Sequence, residues 1–410
     1  MSRANGHGVL IAGGGLAAQR CAETLRKRGY EAPIRIVCAE DEVPYDRPPL
    51  SKDVAAGAAD GASVRFREED WYADNDVELL LGRRASGLDP ETRELTLDDG
   101  SVLGFDELVI ATGAAARMLP ALERFENAFP LRTLADAGRL REALDGGSRL
   151  AIVGAGFIGQ EVAATARGQG VEVTIVEALD VPLAGILGER VGRWIVDHHR
   201  DQGVRVLTGA MLDSAAGNGR VEELTLADGS KLGCDAVVVG VGVAPAADWV
   251  AGSGLDPAGI ATDAAGRTGI PHVWAAGDVS RPFDPRLFDH VRTELWDAAS
   301  RQGVAVATAI VGEPPRPPAL PSFWSDQYGL RIQYVGHAEG ADEVRISGEP
   351  GDRDFHVLYQ RAGRPVAALT VDRPRELAAL RRLIESGAAG DARATDSHDS
   401  PEQTNQEATS

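Results

Sequence analysis

At 410 residues the chain is long enough for two or three domains with sizeable cores, and its formal net charge of −20 argues against nucleic acid or an anionic membrane as a global partner. Richness in Ala, Gly and Val, with many short VLIAG- and VVVG-like runs, suits α/β architecture with buried parallel strands. Cys21, Cys38 and Cys234 show no C-x-x-C or metal spacing, so no disulfide framework, iron–sulfur site or other metal site is expected; with no signal peptide and no apolar run of membrane-spanning length, the expectation is a soluble cytoplasmic protein.

The first element, GVLIAGGG, reads as strand and turn, LAAQRCAETLRKRG as a helix, and IRIVCAE as a second strand ending at Glu40. Gly13, Gly15 and Ala18 stand in G-x-G-x-x-A register, with Glu40 placed to accept ribose hydroxyls. EVPYDRPPLSKD follows, where Pro44, Pro48 and Pro49 forbid regular helix. Such a stiff segment suits the placing of two cations, Arg47 and Lys52, beside a nucleotide; a solvated loop with ordinary surface charges is the other reading.

Next come a helix start and several strands. TRELTLDDGSVLGFDELVIA reads as a β-meander around an Asp-Gly turn and ends at Ala111-Thr112-Gly113. ARMLPALERFENAFPLRTL is a connector, and ADAGRLREALDGG a helix. AIVGAGFIGQEVAATARGQGVEVTIVE is then a second strand–helix–strand unit, with Gly154, Gly156 and Gly159 in G-x-G-x-x-G register. Gly154 permits the tight turn, Gly156 lets backbone approach a diphosphate, and Gly159 lets helix and strand pack closely. The diphosphate would sit on the helix N-terminus. Glu177, at the end of the second strand, favours NAD(H) because its charge repels a 2′-phosphate.

GERVGRWIVDHHRDQG predicts a helix on which His198 and His199 point to different faces, as surface or groove residues rather than metal ligands. RVEELTLADGSKLGCDAVVVGVGVAP repeats the pattern of meander, turn and buried strand, which marks an internal duplication. PHVWAAGDVS is a buried strand ending in Gly277-Asp278. That Asp can accept hydroxyl hydrogen bonds from a ribityl chain, cap the Ala-rich helix in VRTELWDAASRQGVAVATAIVG, or do both. GEPPRPPALP is a linker. Beyond it, FWSDQYGLRIQYVG, FHVLYQ and RPVAALTVD read as strands and PRELAALRRLIESG as a helix, a small α+β domain followed from about Ala388 by a tail expected to be disordered.

Two fingerprints imply two dinucleotides, and FAD in the first with NAD in the second is a frequent pairing, although the spacing of the two copies is alike. The expected fold is α/β: two Rossmann-like dinucleotide-binding domains plus a small α+β C-terminal domain. The expected boundaries are residues 1–116 and 246–316 for the FAD domain, 117–245 for an inserted NAD domain, 317–387 for the C-terminal domain and 388–410 for the tail.

The segments PYDRPPLSK, VIATGA, LRTLADA, IVGAGFIGQEVA, VVVGVGVAP, VWAAGDV, ELWDAASRQG and FWSDQYGLRIQ occur in one order from Gly8 to about Ser386. In these the chain resembles the FAD-dependent NADH–ferredoxin reductases of bacterial oxygenase systems, the putidaredoxin-reductase type. The resemblance implies that FAD takes the first fingerprint (Gly13, Gly15, Leu16, Ala17 and Ala18), with Glu40 on its ribose and Arg47 and Lys52 near phosphate and flavin. It further implies that Ala85, Thr112, Gly113 and Arg132 line that site. Gly277 and Asp278 would hold the ribityl chain, with Trp296 and Trp324 against the isoalloxazine. NADH would take Gly154, Gly156, Phe157, Ile158, Gly159 and Glu161, with Glu177 and the Gly240-Val241-Gly242 turn closing over it. By similarity Lys52 lies close to flavin N5 and pairs with Glu161, in a catalytic role or as a purely structural salt bridge.

The implied activity is hydride transfer from NADH to FAD, then single electrons to a 2Fe–2S ferredoxin that feeds a cytochrome P450 or a ring-hydroxylating dioxygenase. Disulfide reductases of the superfamily carry a C-x-x-C or C-x₄-C pair on the FAD-domain helix or in the NAD domain, and peroxidase and oxidase relatives one reactive Cys soon after the ribose acid. This chain has neither, with RPPLSK where that Cys would stand, which excludes thiol chemistry. Asp297 replaces the Asn of the family's W-x-N-A segment and would add a negative charge near the flavin edge. Arg65, Arg67, Arg292 and Arg331 are candidates for a basic docking rim, with surface salt bridges as the other explanation. Two rival functions are an NADH oxidase or rubredoxin-type reductase, and an NADH-sensing flavoprotein without turnover.

Overall fold

The structure is a computed structural model describing residues 6–146, 149–314 and 319–387. The chain begins with β1 (Val9–Ala12), every residue buried, then α1 (Leu16–Lys27) and β2 (Ile34–Val37). A single 3₁₀ turn, Pro48–Ser51, follows, which the proline-rich segment tolerates because the prolines occupy its first positions. Next are α2 (Glu69–Asp74), β3 (Val77–Leu80), β4 (Ala85–Asp89), β5 (Glu94–Leu97), β6 (Val102–Gly104) and β7 (Glu107–Ile110). β8 (Ala114–Ala116) and β9 (Ala128–Pro130) precede α3 (Leu134–Asp145), β10 (Arg149–Val153), α4 (Phe157–Gly168) and β11 (Glu172–Val176). The chain continues through α5 (Ala184–Leu187), α6 (Glu189–Asp201), β12 (Arg205–Leu207), β13 (Leu212–Ala216), β14 (Glu223–Leu226), β15 (Lys231–Gly233), β16 (Ala236–Val239) and β17 (Val243–Pro245). It closes with β18 (Ile260–Thr262), β19 (Val273–Ala275), β20 (Ser280–Asp284), β21 (Asp289–His290), α7 (Trp296–Ile310), β22 (Ser322–Gln327), β23 (Leu330–Gly336), β24 (Glu343–Glu349), β25 (Asp354–Arg361), β26 (Arg364–Val371) and α8 (Pro374–Ser386).

Two parallel five-stranded sheets dominate, in the orders β19-β7-β1-β2-β3 and β12-β11-β10-β16-β9. In each, the strand before the glycine turn lies centrally: Ile11 is opposite Ile36 and Val109, and Ile152 is opposite Ile175 and Val238. Strands covered on both faces need apolar residues throughout, which is why these segments lack polar alternation. The matching layouts are the duplication read from the repeated pattern. A third five-stranded sheet, antiparallel, has the order β22-β23-β26-β25-β24.

Several elements differ from the sequence expectation. The meander is β4-β5-β6 alone; its supposed last strand, β7, joins the parallel sheet beside β1. β8 leads into the connector and pairs with β17, and β9, within the connector, extends the second parallel sheet alongside β16. β24 was not expected from the sequence: Glu343, Arg345, Ser347 and Glu349 make one face polar, and only Val344 and Ile346 on the other pack against the core. β2 ends at Val37, three residues before Glu40. The linker is described only outside residues 315–318, and the tail from Ala388 lies outside the described residues.

Helix α7 covers α1 closely because Gly303 has no side chain: a Cβ there would meet the Ala17 carbonyl oxygen at 2.2 Å. Val306, Ala307 and Ala309 share a core with Ala18, Cys21, Ala22 and Leu25. Burial raises the thiols of Cys21 and Cys38 to about 12 and of Cys234 to about 11, so none is a thiolate near neutrality. Among the described residues no helix is long and apolar enough to cross a membrane.

His198 and His199 are both buried, not at the surface. They sit where α6 meets the β22–β23 hairpin: His198 stacks on Trp194, and the His199 ring nitrogens lie 2.7 Å from the Tyr328 hydroxyl and 3.1 Å from Gln327 Oε1. Burial, aided by neighbouring His198, lowers the His199 pKa to about 4. As pH falls below 6.5 the unfolded chain takes up a proton that the folded state refuses until about pH 4. Stability that is complete above pH 6.5 should therefore decline by about 3 kcal/mol through that window. Urea unfolding of the protein and of His199→Gln between pH 7 and 4.5 checks this, the variant being expected to lose most of the slope.

Candidate active site

The carboxyl ends of the first sheet's strands carry the first cradle: Gly13 after β1, Glu40 beyond β2, Thr112 and Gly113 after β7, Gly277 and Asp278 after β19. Gly13 has φ +124°, and a Cβ there would lie 2.1 Å from the Ala111 carbonyl oxygen. Gly15 faces open space, with no atom within 4 Å of its would-be Cβ. α1 begins at Leu16 without a side-chain cap or first-turn acid, so the free N–H groups at Leu16, Ala17 and Ala18 are left for an anion.

Two guanidinium groups flank this cradle. Arg47 donates to Glu40 at 3.0 Å and to the Arg132 carbonyl oxygen. Arg132 pairs with Asp278 at 2.9 Å and donates to the Ala114 carbonyl oxygen at 3.1 Å. Burial, and then the nearby Arg47 charge, depress the Arg132 pKa. Converging cations beside an uncapped helix terminus fit a diphosphate. Glu40 is fixed from its other side by the Tyr45 hydroxyl at 2.5 Å, a partner the sequence reading did not single out. Asp278 is the partner of Arg132; the N-cap of α7 is Leu295, so the capping alternative is gone. Ala85 packs in the core beneath, with Val37 and Leu97.

The aromatic side of the site is rigidly held. Trp296 opens α7 and donates its indole N–H to Asp46 at 2.7 Å, and its ring meets Trp324 edge-on at 5.8 Å. Burial raises the Asp46 pKa. Asp297 brings no free charge, because Arg301 binds both carboxylate oxygens and Ser322 donates to one at 2.9 Å. Glu294, not singled out from sequence, is held by Arg292 at 2.8 Å, and burial raises its pKa.

The second cradle repeats the first. Gly154 has φ +105° and approaches the Gly240 carbonyl so closely that a Cβ would lie 2.4 Å from its oxygen. At Gly159 a Cβ would lie 2.3 Å from the Gly154 oxygen, whereas Gly156 opens onto free space with its nearest atom at 3.9 Å. α4 starts uncapped at Phe157, followed by exposed Ile158. Glu177 accepts from the Ala155 and Leu179 N–H groups at 2.7 and 2.8 Å, which pins its carboxylate to the turn. Gly242, at φ +97°, borders open space.

Between the cradles, Lys52 Nζ lies 3.0 Å from Glu161 Oε1. Glu161 also accepts from the Ser51 hydroxyl at 2.6 Å and the Ser325 hydroxyl at 2.8 Å, neither of them anticipated. The pair thus joins the proline-rich segment, α4 and the β22 hairpin. Each rim arginine already has an acid: Arg65 with Glu68, Arg67 with Glu23, Arg292 with Glu294 and Arg331 with Asp326.

Residues 7–303 match the profile of the pyridine nucleotide-disulphide oxidoreductases and residues 322–401 that of the reductase C-terminal domain; the chain belongs to the former family and is an oxidoreductase. It is 38% identical to the ferredoxin–NAD(+) reductase component of the anthranilate 1,2-dioxygenase system of Burkholderia cepacia, over 93% of this chain and 95% of that protein. It is 34% identical to the putidaredoxin reductase of Pseudomonas putida, over 92% of this chain and 91% of that one. The crystal structure of the covalent putidaredoxin reductase–putidaredoxin complex matches with a TM-score of 0.91 at 33% identity, covering 95% of each chain. An NADH:rubredoxin oxidoreductase from Clostridium acetobutylicum, 21% identical with a TM-score of 0.75 over 93% of this chain and 96% of that one, shares the fold.

Proposed function

We propose that this chain is an NADH-dependent ferredoxin reductase that passes electrons to a 2Fe–2S ferredoxin serving a cytochrome P450 or a ring-hydroxylating dioxygenase. The observation that carries the reading is the Lys52–Glu161 pair, buried between two anion cradles in a chain whose relatives are reductases of oxygenase systems. Bound FAD supplies the exchange between a hydride from NADH and single electrons for the ferredoxin.

The chain's own residues bind and orient. Arg47, Arg132 and the α1 N-terminus hold the FAD diphosphate, while Glu40 accepts from its ribose. The α4 N-terminus and Glu177 do the same for NADH. Lys52, held by Glu161, keeps a positive charge between the two sites, and Asp46 fixes the Trp296 ring. Residues 117–245 form the NAD domain inserted into an FAD domain of residues 1–116 and 246–316, with residues 317–387 as the C-terminal domain. A soluble, cytoplasmic location fits this role.

Cytochrome c reduction by NADH, with and without a bacterial 2Fe–2S ferredoxin, tests the reading alongside oxygen uptake. Large stimulation by ferredoxin is expected. Rapid oxygen consumption without stimulation would make the protein an oxidase, and neither activity, with a stable charge-transfer band, would make it a sensor.

A further inference from the structure

Strand β22 has an inverted polarity. Phe323, Ser325 and Gln327 share one face and Trp324 and Asp326 the other, since successive side chains alternate. The polar pair, Ser325 and Gln327, is buried to 1% exposure or less, while Trp324 is only half-buried. Burying a hydroxyl and an amide is unfavourable unless their hydrogen bonds are met. Here they are met by one surface of α4, formed by Phe157, Gln160 and Glu161, three and four residues apart. The Phe323 ring lies 4.6 Å from that of Phe157, Gln327 donates to Gln160 at 3.1 Å, and Ser325 donates to Glu161 at 2.8 Å.

The direction of every proton in this cluster follows from its ends. Gln160 gives its amide N–H to the Ala155 carbonyl oxygen, inside the second glycine turn, at 2.8 Å, so its own oxygen faces Gln327. Gln327 must then present its NH₂ there, which also donates to Ser325 Oγ at 3.0 Å, and turns its oxygen toward His199. His199 therefore carries its proton on Nε2, and Nδ1 accepts from the Tyr328 hydroxyl. Donors run one way from Tyr328 through His199, Gln327 and Ser325 to Glu161, with a branch through Gln160 to Ala155.

We propose that Ser325 and Gln327 are positioning residues for the reduction step: they hold the Glu161 carboxylate, and through it the Lys52 ammonium, in one orientation, and tie that orientation to the backbone of the NADH-binding turn. The inference rests on the reductase reading for its effect on rate, but its geometric half concerns Lys52 alone. A packing role without this function would need only apolar groups on the buried face of β22.

The chain has three lysines, Lys27, Lys52 and Lys231, and the first and last are exposed. Acylation by an N-hydroxysuccinimide acetate ester, followed by mass spectrometry, therefore reads Lys52 against two internal standards and needs no NADH. Ser325→Ala and Gln327→Met are expected to raise Lys52 labelling severalfold over Lys231, with Ser325→Thr restoring protection. In stopped-flow, Ser325→Ala should slow flavin reduction about tenfold, the scale of one hydrogen bond to a charged group. In a Glu161→Gln background the same substitution should add nothing, because Ser325 acts through that carboxylate. Labelling that stays at the parent level in both variants, or slowing of equal size in both backgrounds, would overturn the proposal. If the ferredoxin assay fails while labelling rises as expected, the reductase reading falls and the positioning of Lys52 stands.

Discussion

Lys52→Met should slow flavin reduction by NADH at least a hundredfold and destabilise the folded protein. Glu161 has a side-chain exposure of 5%, and Lys52 is its only cationic partner within 4 Å among the described residues. Removing the ammonium leaves a buried carboxylate facing two hydroxyls, a change that typically costs about 3–5 kcal/mol. The double variant Lys52→Met, Glu161→Gln removes the stranded charge as well. It should recover most of the stability and none of the rate, because the positive charge between the cradles is still missing. Stopped-flow absorbance and urea unfolding read the two effects separately. A normal reduction rate in Lys52→Met would leave the pair a structural salt bridge.

Gly154 and Gly156, two residues apart in the second fingerprint, should respond in opposite ways. At Gly154 an alanine would be forced to φ +105° with its Cβ 2.4 Å from the Gly240 oxygen. Backbone strain and overpacking each contribute on the order of 1–3 kcal/mol, so Gly154→Ala should lose several kcal/mol and NADH binding together. Gly156 has an ordinary φ of −71° and open space where its Cβ would go. Gly156→Ala should fold with unchanged stability yet bind NADH at least tenfold more weakly, since the methyl enters the space proposed for the diphosphate. Thermal unfolding and NADH titration decide the matter, and unchanged affinity in Gly156→Ala would move the dinucleotide elsewhere.

What was legible in the sequence was what local patterns encode. The glycine registers, the apolar strands beside them and the acids beyond them each lie within a short stretch, and both cradles take the form those stretches imply. What was hidden depends on distant partners. Whether ELVI closes a meander or joins a parallel sheet is set by β1, about a hundred residues earlier, and its own residues suit either place. His198 and His199 looked like surface residues because their cover, the hairpin at Tyr328, lies far along the chain. Ser51 and Ser325 carry no signal of their own, since serine is common in loops and strand ends; only the polar–aromatic inversion of FWSDQ hinted that a polar face turns inward. For the four rim arginines the sequence left a docking rim and surface salt bridges both open, and in the structure each pairs with an acid.

The order of β19-β7-β1 also bears on how the chain comes into being. During synthesis, β1, α1 and the first glycine turn emerge first, but the edge strand β19, which pairs with β7, and the cover α7 follow only after the whole second parallel sheet has been made. The second sheet, by contrast, is complete within one unbroken run from β9 to β16. It can close while the first sheet still lacks an edge and Ala17 still lacks Gly303 against its backbone. Elements made after the second sheet thus complete the cradle begun first, so that cradle is expected to close only late in synthesis.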